Sequence, residues 1–139
     1  MKLLAKTFAE RTTVMEITLN HTIIPAYNNI DTAKFYERVF GFKFIKEWGP
    51  FAVLKVNETL TFDFRTEKGF LSLHYAFKVS EEQFDQILAR IKLEKLPIGS
   101  GPGTLDDGAI NTNFDGRGVY FKDPNGHILE ILTTDYVLN

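Results

Sequence analysis

The chain has 139 residues, enough for one domain or for two small modules that share a core, and its 44% hydrophobic content with 13 Phe suffices for packing. Its formal net charge is -2, with 16 basic and 18 acidic residues interspersed, so neither a nucleic-acid-binding stripe nor a charged tail is predicted. The absence of Cys excludes disulfides and thiolate sites, and no apolar run approaches the roughly 18 residues of a membrane span, so the cytoplasm is the expected compartment.

The first half of the chain is predicted to be a strand, a helix and three further strands. Residues 1–15 are expected to form an N-terminal extension, either a short amphipathic helix or a disordered leader. Alternation over 16–25 predicts a strand that presents four residues on one face, namely Ile17, Leu19, His21 and Ile23. Asp31 is expected to cap the following helix, which Gly41 ends. The three further strands are predicted near 42–48, 51–56 and 59–65.

The second half repeats this order. Residues 70–79 predict a strand, and Ser80 with Gln83 forms a capping-box pattern ahead of a helix. A Gly- and Pro-rich passage follows, with weak strand signals near 96–99 and 109–114. The chain closes with a hairpin over 119–132, in which Asp-Pro-Asn-Gly supplies a tight turn.

The two halves also align by residue type. LNH at 19–21 matches SLH at 72–74, and LTFDFRT at 60–66 matches HILEILT at 127–133. The corresponding residues are His21 with His74 and Asp63 with Glu130. Such a repeat predicts an α+β fold built from two βαβββ modules, too small to be stable alone, that bury a shared core.

The alignment also sets the expected domain limits. The first module covers about 16–67 and the second about 70–136, and together they form a single domain over 16–139. Residues 1–15 would then lie outside this domain.

Four ionisable residues of this pattern lie inside otherwise apolar strands: His21, His74, Asp63 and Glu130. Burying a lone carboxylate is costly unless it is paired, protonated or bound to a metal. Two imidazoles and one or two carboxylates in one cleft would hold a divalent cation, and two His with one carboxylate are typical of non-haem Fe(II) sites. The alternative is that each His is a hydrogen-bonded core residue. Asp63 either completes the ligand set, pairs with Arg65 or faces solvent, whereas His127 points away from Glu130 and is not expected to ligate.

Three further features are open to two interpretations each. The Gly-rich passage 99–118 lacks the Gly-Lys-Ser/Thr ending of a phosphate loop and is predicted to be a mobile flap over the cleft. Arg117 is either a surface cation or a charge at the cleft mouth that steers an anionic substrate. Four aromatic residues either pack in the core or form a wall of the cleft: Trp48, Phe51, Phe62 and Phe64.

Three stretches of the chain resemble the vicinal oxygen chelate superfamily, which includes glyoxalase I, fosfomycin- and bleomycin-resistance proteins and extradiol dioxygenases. They are LNHTIIPAYNNIDTAKFYERVFGF, LSLHYAFKVSEEQFDQIL and GRGVYFKDPNGHILEIL. The finer resemblance is to the small dioxygenase-like branch that includes the chartreusin-biosynthesis oxygenase. The resemblance implies a cup-shaped, eight-stranded mixed sheet with helices outside, and a homodimer.

The resemblance also implies a ligand set and a substrate site. His21, His74 and Glu130 would bind a divalent metal, with Asp63 at the fourth position; Fe²⁺ is the expected ion, and Mn²⁺, Ni²⁺ and Zn²⁺ are alternatives. Tyr120 stands where the extradiol enzymes have a substrate-site tyrosine. Asn113 lies near the position of their acid/base His, and Asn can hydrogen-bond a substrate oxygen but cannot shuttle a proton.

The implied function is that of a metal-dependent, dioxygenase-like oxidoreductase acting on a small aromatic or vicinal-oxygen substrate chelated to the metal. One alternative is a glyoxalase-like lyase or isomerase. The other is a non-catalytic dimer that binds a drug or metabolite, as in bleomycin resistance. Retention of the ligand residues favours an enzyme, while the missing acid/base His argues against ring cleavage of a catechol by the usual route.

Overall fold

The computed structural model describes residues 16–138, which contain seven strands, two α-helices and one short 3-10 turn. The first half contains β1 (His21–Ala26), α1 (Asn29–Phe40), β2 (Lys43–Trp48), β3 (Phe51–Lys55) and β4 (Thr61–Thr66). The second half contains β5 (His74–Lys78), α2 (Glu81–Leu93), the 3-10 turn (Asn113–Asp115), β6 (Gly118–Lys122) and β7 (Ile128–Leu132). The expectations for residues 1–15 lie outside the described residues. Neither described helix is long and apolar enough to span a membrane.

The helix boundaries follow from local capping. α1 begins after Asn28, which has an extended backbone and whose side chain accepts a 2.9 Å hydrogen bond from the Asp31 amide. The expectation that Asp31 caps this helix is therefore wrong: Asp31 lies inside the first turn, where its charge suits the helix dipole. Gly41 ends α1 as predicted, in the left-handed conformation with φ 78°. The capping box of Ser80 and Gln83 at the start of α2 is confirmed.

Both halves use the same strand pairing. The first sheet has the order β1-β4-β3-β2 and the second the order β5-β7-β6. β1 is parallel to β4, and β5 is parallel to β7. His21 pairs with Thr61, and His74 pairs with Ile128, which are equivalent positions of the two aligned halves. The α+β class is confirmed, and the sequence repeat corresponds to a repeat of strand pairing.

The predicted eight-stranded sheet is wrong for residues 16–138, which form two separate sheets of four and three strands. The place of the eighth strand, beside β6, is taken by a bridge in which Gly99 and Tyr120 exchange backbone hydrogen bonds of 2.9 and 2.8 Å. Pro97 lacks the amide donor that a longer ladder needs. Gly99 lies so close to the returning loop that a Cβ there would sit 1.9 Å from the backbone oxygen of Thr104. The weak strand signals upstream of β6 therefore mark isolated bridges.

One aromatic core joins the two halves. Phe62 and Phe64 of β4 lie on the face covered by α1, and both are buried, so they are core residues and not a cleft wall. The Phe40 ring of α1 lies 4.8 Å from Phe77 of β5 and 5.9 Å from Phe121 of β6. The expected shared core is therefore present, and one face of each sheet is left outside it.

The turn between β6 and β7 is buried against the first half of the chain. Asp123 accepts a 2.8 Å hydrogen bond from the Tyr36 hydroxyl of α1, and bonds from the backbone amides of Asn125 and His127. The Asn125 side chain accepts from the Tyr27 amide at 2.8 Å and donates to a hydroxyl of α1 at 3.1 Å. Burying these polar groups is tolerated because they are hydrogen-bonded.

Removing the Tyr36 hydroxyl tests how much this turn contributes to stability. Burial and the neighbouring Asp123 carboxylate raise the pKa of Tyr36, so the hydroxyl remains a donor through the ordinary pH range. Tyr36→Phe should lower the free energy of unfolding in urea by about 1.5–3 kcal/mol, the usual loss for a hydrogen bond to a charged group. Tyr27→Phe is the control, because the Tyr27 side chain is 59% exposed. Equal losses of unfolding free energy in Tyr36→Phe and Tyr27→Phe would contradict a stabilising role of the buried turn.

Candidate metal centre

His74 and Glu130 are neighbours on the open face of the second sheet. In the parallel pairing of β5 with β7, Ala76 is opposite Glu130, so His74 lies one diagonal step away on the same face. The His74 Nε2 and Glu130 Oε1 atoms are 3.2 Å apart. The Glu130 side chain is 15% exposed and the His74 side chain 48%, so the pair lies at the surface of the sheet and is accessible to a ligand.

The hydrogen bond on the other side of the His74 ring decides what this pair can bind. Nδ1 lies 3.1 Å from the Ile128 carbonyl oxygen, which can only accept, so Nδ1 carries a hydrogen. Nε2 then faces a carboxylate oxygen, and a proton between the two atoms or a metal ion bound to both would make this approach favourable. Metal-bound His typically donates its second N–H to a backbone carbonyl in this way. Two ligands about 2.1 Å from one metal at a right angle are about 3 Å apart, so the 3.2 Å separation fits a shared ion.

Tyr120 lies beside this pair. It is opposite Glu130 in the pairing of β6 with β7, and its ring stacks on the His74 ring with centroids 5.9 Å apart. Burial, followed by the interaction of the hydroxyl with the Glu130 carboxylate, raises the pKa of Tyr120 to about 12. At neutral pH the hydroxyl is therefore protonated and can donate a hydrogen bond.

The other two candidate ligands lie in the first sheet. His21 is exposed at the start of β1, and its Nδ1 lies 2.7 Å from the Asn20 side-chain oxygen. Asp63 is only 7% exposed and accepts a 3.0 Å hydrogen bond from the Thr61 hydroxyl, so the solvent-facing interpretation is wrong. Within residues 16–138 of one chain, no three His, Asp or Glu side chains come together as a group that could hold a metal. One chain thus brings together two of the four candidate ligands.

Two other residues named in the sequence, His127 and Arg117, have well-defined contacts. His127 is fully buried and both of its ring nitrogens bond to the backbone, so it faces away from Glu130 as expected.

The Arg117 guanidinium donates to Glu81 and Asp85 of α2 at 2.7 and 2.8 Å and lies 4.3 Å above the Phe84 ring. Its charge is therefore paired with two carboxylates of α2, and Arg117 is also one of the residues that line the cavity described next.

A cavity of about 280 Å³ adjoins Glu130 and Tyr120, and Asn113 is part of its lining. The lining also includes Phe114 and Tyr136, whose rings are 6.4 Å apart. The sequence did not indicate either residue as part of a site. Phe114 adopts a left-handed backbone conformation (φ 56°) that is uncommon outside Gly. Phe114 lies at the end of a weak strand signal and Tyr136 in none, so no pattern in the sequence indicates that they meet here.

The Gly-rich passage beside this cavity has a hydrogen-bonded structure of its own. The Asp107 carboxylate accepts from the Ser100 amide at 3.0 Å, from the Ser100 hydroxyl at 2.5 Å and from the Ala109 amide at 3.0 Å. The Asn111 side chain donates to the Ser100 carbonyl at 3.0 Å. These contacts join the two sides of the passage, while its motion as a flap over the cleft stays a prediction.

A family model for the glyoxalase/bleomycin resistance protein/dioxygenase superfamily matches residues 18–131. The chain belongs to this superfamily. The resemblance drawn from the three sequence stretches is therefore confirmed.

Individual superfamily relatives are similar over most of the chain. The oxidase ChaP-H2 has 40% sequence identity and a TM-score of 0.84, with 88% of this chain and 97% of that chain covered. The oxidase ChaP-H1 has 41% identity and a TM-score of 0.81, with 86% and 98% covered. The metallothiol transferase FosB of Lysinibacillus sphaericus is 29% identical over 123 residues, which cover 84% of this chain and 82% of that protein.

The Asp107 contacts predict how the loop responds to mutation. Asp107→Ala should accelerate hydrogen exchange at the Ser100 and Ala109 amides and leave the melting temperature nearly unchanged, because the side chain is exposed. Asp106→Ala is the control, since it removes an adjacent exposed carboxylate. The Ser100 hydroxyl lowers the pKa of Asp107, so protection should be present above the pKa of free aspartate and lost as the pH falls through the lowered value. Unchanged exchange in Asp107→Ala would show that the carboxylate does not organise the loop.

Proposed function

We propose that this protein is a divalent-metal-dependent enzyme, a dioxygenase-like oxidoreductase that acts on a small aromatic or vicinal-oxygen substrate chelated to the metal. The observation that carries the proposal is the His74–Glu130 pair, in which an imidazole nitrogen faces a carboxylate oxygen at 3.2 Å. The similarity to two oxidases, at 40% and 41% identity, supports oxidation over a purely binding role.

His74 and Glu130 of one chain and His21 of a second copy would hold the metal. Fe²⁺ is the favoured ion, because two His and one carboxylate are typical ligands of non-haem Fe(II), with Mn²⁺, Ni²⁺ and Zn²⁺ as alternatives. When bound, the ion would supply Lewis-acid or redox chemistry to the substrate oxygens. Asp63 is the candidate for a fourth position, since it lies on the same face of the first sheet as His21.

The surface around His21 supports the contribution of a second copy. The alternating positions Ile17, Leu19 and Ile23 are 98%, 64% and 50% exposed. Large apolar side chains grouped in this way are typical of an interaction surface. A homodimer that buries them would bring His21 of one copy to the His74–Glu130 pair of the other, and a two-fold interface would form two such sites.

The cavity beside Glu130 would receive the substrate. Phe114 and Tyr136 provide aromatic surface, and the protonated Tyr120 hydroxyl can donate to a substrate oxygen. The Asn113 amide can also donate, but it cannot transfer a proton. Proton transfer would therefore fall to Tyr120 or Glu130, which distinguishes this site from one with an acid/base His.

One alternative activity has support of its own. The 29% identity to a metallothiol transferase favours a group-transfer or glyoxalase-like lyase reaction with Mn²⁺, Ni²⁺ or Zn²⁺. Turnover of catechols, hydroxyquinones and thiol hemiacetals, measured with each metal added back, separates the two activities. Absence of turnover with every metal, together with tight binding of one of these compounds, would instead indicate a sequestering dimer.

Metal content tests the centre directly. The purified protein should bind about one divalent ion per chain, and Glu130→Gln should weaken Mn²⁺ binding at least tenfold because a charged ligand becomes neutral. His74→Ala should abolish binding. Glu82→Gln, which makes the same chemical change at an exposed position of α2, is the control and should bind as the wild type does. Metal binding that survives in both His74→Ala and Glu130→Gln would refute the assignment.

Mixing two inactive variants tests the two-chain site. His21→Ala and His74→Ala should each lose metal binding alone. A refolded 1:1 mixture should recover about one quarter of the wild-type sites, because half of the dimers are mixed and each has one complete site. If all ligands came from one chain, the mixture would recover nothing.

A further inference from the structure

His127 is fully buried, and its ring makes two hydrogen bonds to the backbone, one in each half of the chain. Its Nε2 lies 2.7 Å from the Pro25 carbonyl oxygen of β1, and its Nδ1 lies 3.0 Å from the Leu73 amide just before β5. A carbonyl only accepts and an amide only donates. His127 is therefore a neutral imidazole with its hydrogen on Nε2, and its two nitrogens cannot exchange roles.

A chain of hydrogen bonds leads from this ring to the His74 ring. The His127 ring fixes the Leu73 amide, and the Leu73 carbonyl accepts from the Ile128 amide at 2.8 Å. The Ile128 carbonyl in turn accepts from Nδ1 of His74 at 3.1 Å. That last bond turns Nε2 of His74 toward Glu130. Displacing Leu73 would therefore displace the carbonyl that orients the His74 ring.

The surroundings of His127 hold it in place. It follows the Asp123–Asn125 turn, whose carboxylate accepts from the His127 amide at 3.0 Å, and Phe70 lies 5.4 Å from its ring. An apolar residue of the same size would fill the space but would leave the Leu73 amide and the Pro25 carbonyl without these partners. A purely packing role thus does not explain why this position carries an imidazole.

We propose that His127 is a positioning residue for the metal centre: through Leu73 and Ile128 it orients the His74 imidazole toward Glu130. The part of this inference that concerns metal affinity rests on the proposed function, while the orientation of the His74 ring does not.

Three substitutions separate the two bonds of His127. His127→Asn keeps an acceptor for the Leu73 amide, because the Asn side-chain oxygen can take the place of Nδ1. His127→Gln keeps a donor for the Pro25 carbonyl but no acceptor near Leu73. His127→Phe keeps the volume and removes both. Tyr36→Phe is the control, since it loosens the same buried turn without touching the path to His74.

The first readout is the ring ¹⁵N spectrum of the metal-free protein. The wild type has only three His, so each His127 variant shows only His21 and His74. The hydrogen on Nδ1 of His74 should be retained in the wild type, His127→Asn and Tyr36→Phe, and lost or exchanging between nitrogens in His127→Gln and His127→Phe. An unchanged His74 spectrum in His127→Phe would overturn the inference.

The second readout is Zn²⁺ affinity, measured by competition with a chelating dye. His127→Gln and His127→Phe should bind up to about 10-fold more weakly than the wild type, at the low end of the usual cost of losing a ligand's direct outer partner, because His127 acts through the Leu73 and Ile128 backbone. His127→Asn should lose less. Equal weakening of Zn²⁺ binding in Tyr36→Phe would show that general loosening of the turn causes the effect, and would overturn the inference. A loss of Zn²⁺ affinity in His127→Asn but not in His127→Gln would also overturn it. A wild type that binds no Zn²⁺ or other divalent ion would refute the proposed function, while the His74 spectrum would still decide the role of His127.

Discussion

The buried turn from Asp123 to His127 is the constraint on which the rest of the molecule depends. The side chains of Asp123, Asn125 and His127 are buried there. Each has a hydrogen-bond partner in the first half of the chain: the Tyr36 hydroxyl, the Tyr27 amide and the Pro25 carbonyl, respectively. Because these bonds fix where the turn lies, they also fix where β7 starts. A shift of one residue would exchange the two faces of β7 and move Glu130 from the open face into the core.

That register explains how an acidic residue can stand in an apolar strand. Leu129 and Ile131 are buried in the core, so Glu130 between them must face the open side, where His74 of the parallel strand is its neighbour. Both nitrogens of His74 then face oxygen acceptors. A proton shared between Nε2 and Glu130, or a metal ion bound to both, would satisfy this arrangement, and the second possibility is the basis of the proposed metal site.

The two halves share their strand pairing but differ at one sheet edge, beside β3 in the first half and beside β6 in the second. The first sheet has β2 at its edge, whereas the second has the Gly99 bridge and a loop organised by Asp107. Replacing a strand by a loop leaves space next to Glu130 and supplies part of the wall of the cavity there. The repeat thus provides the positions of the candidate ligands, and the departure from the repeat accompanies the cavity beside Glu130.

The sequence by itself determined the α+β class, the helix ends at Gly41 and Ser80, and the family, because alternation, capping and the repeat are local patterns. It also placed His74 and Glu130 in the first and last strands of the second half, at the positions that match His21 and Asp63 of the first half. Tertiary structure alone decided that, within residues 16–138, one chain brings together only His74 and Glu130 of the candidate ligands. It also decided that Pro97 and Gly99 shorten an expected strand, and that Phe114 meets Tyr136. These outcomes depend on how segments distant in the chain approach one another, and no local pattern of residue types encodes such distances.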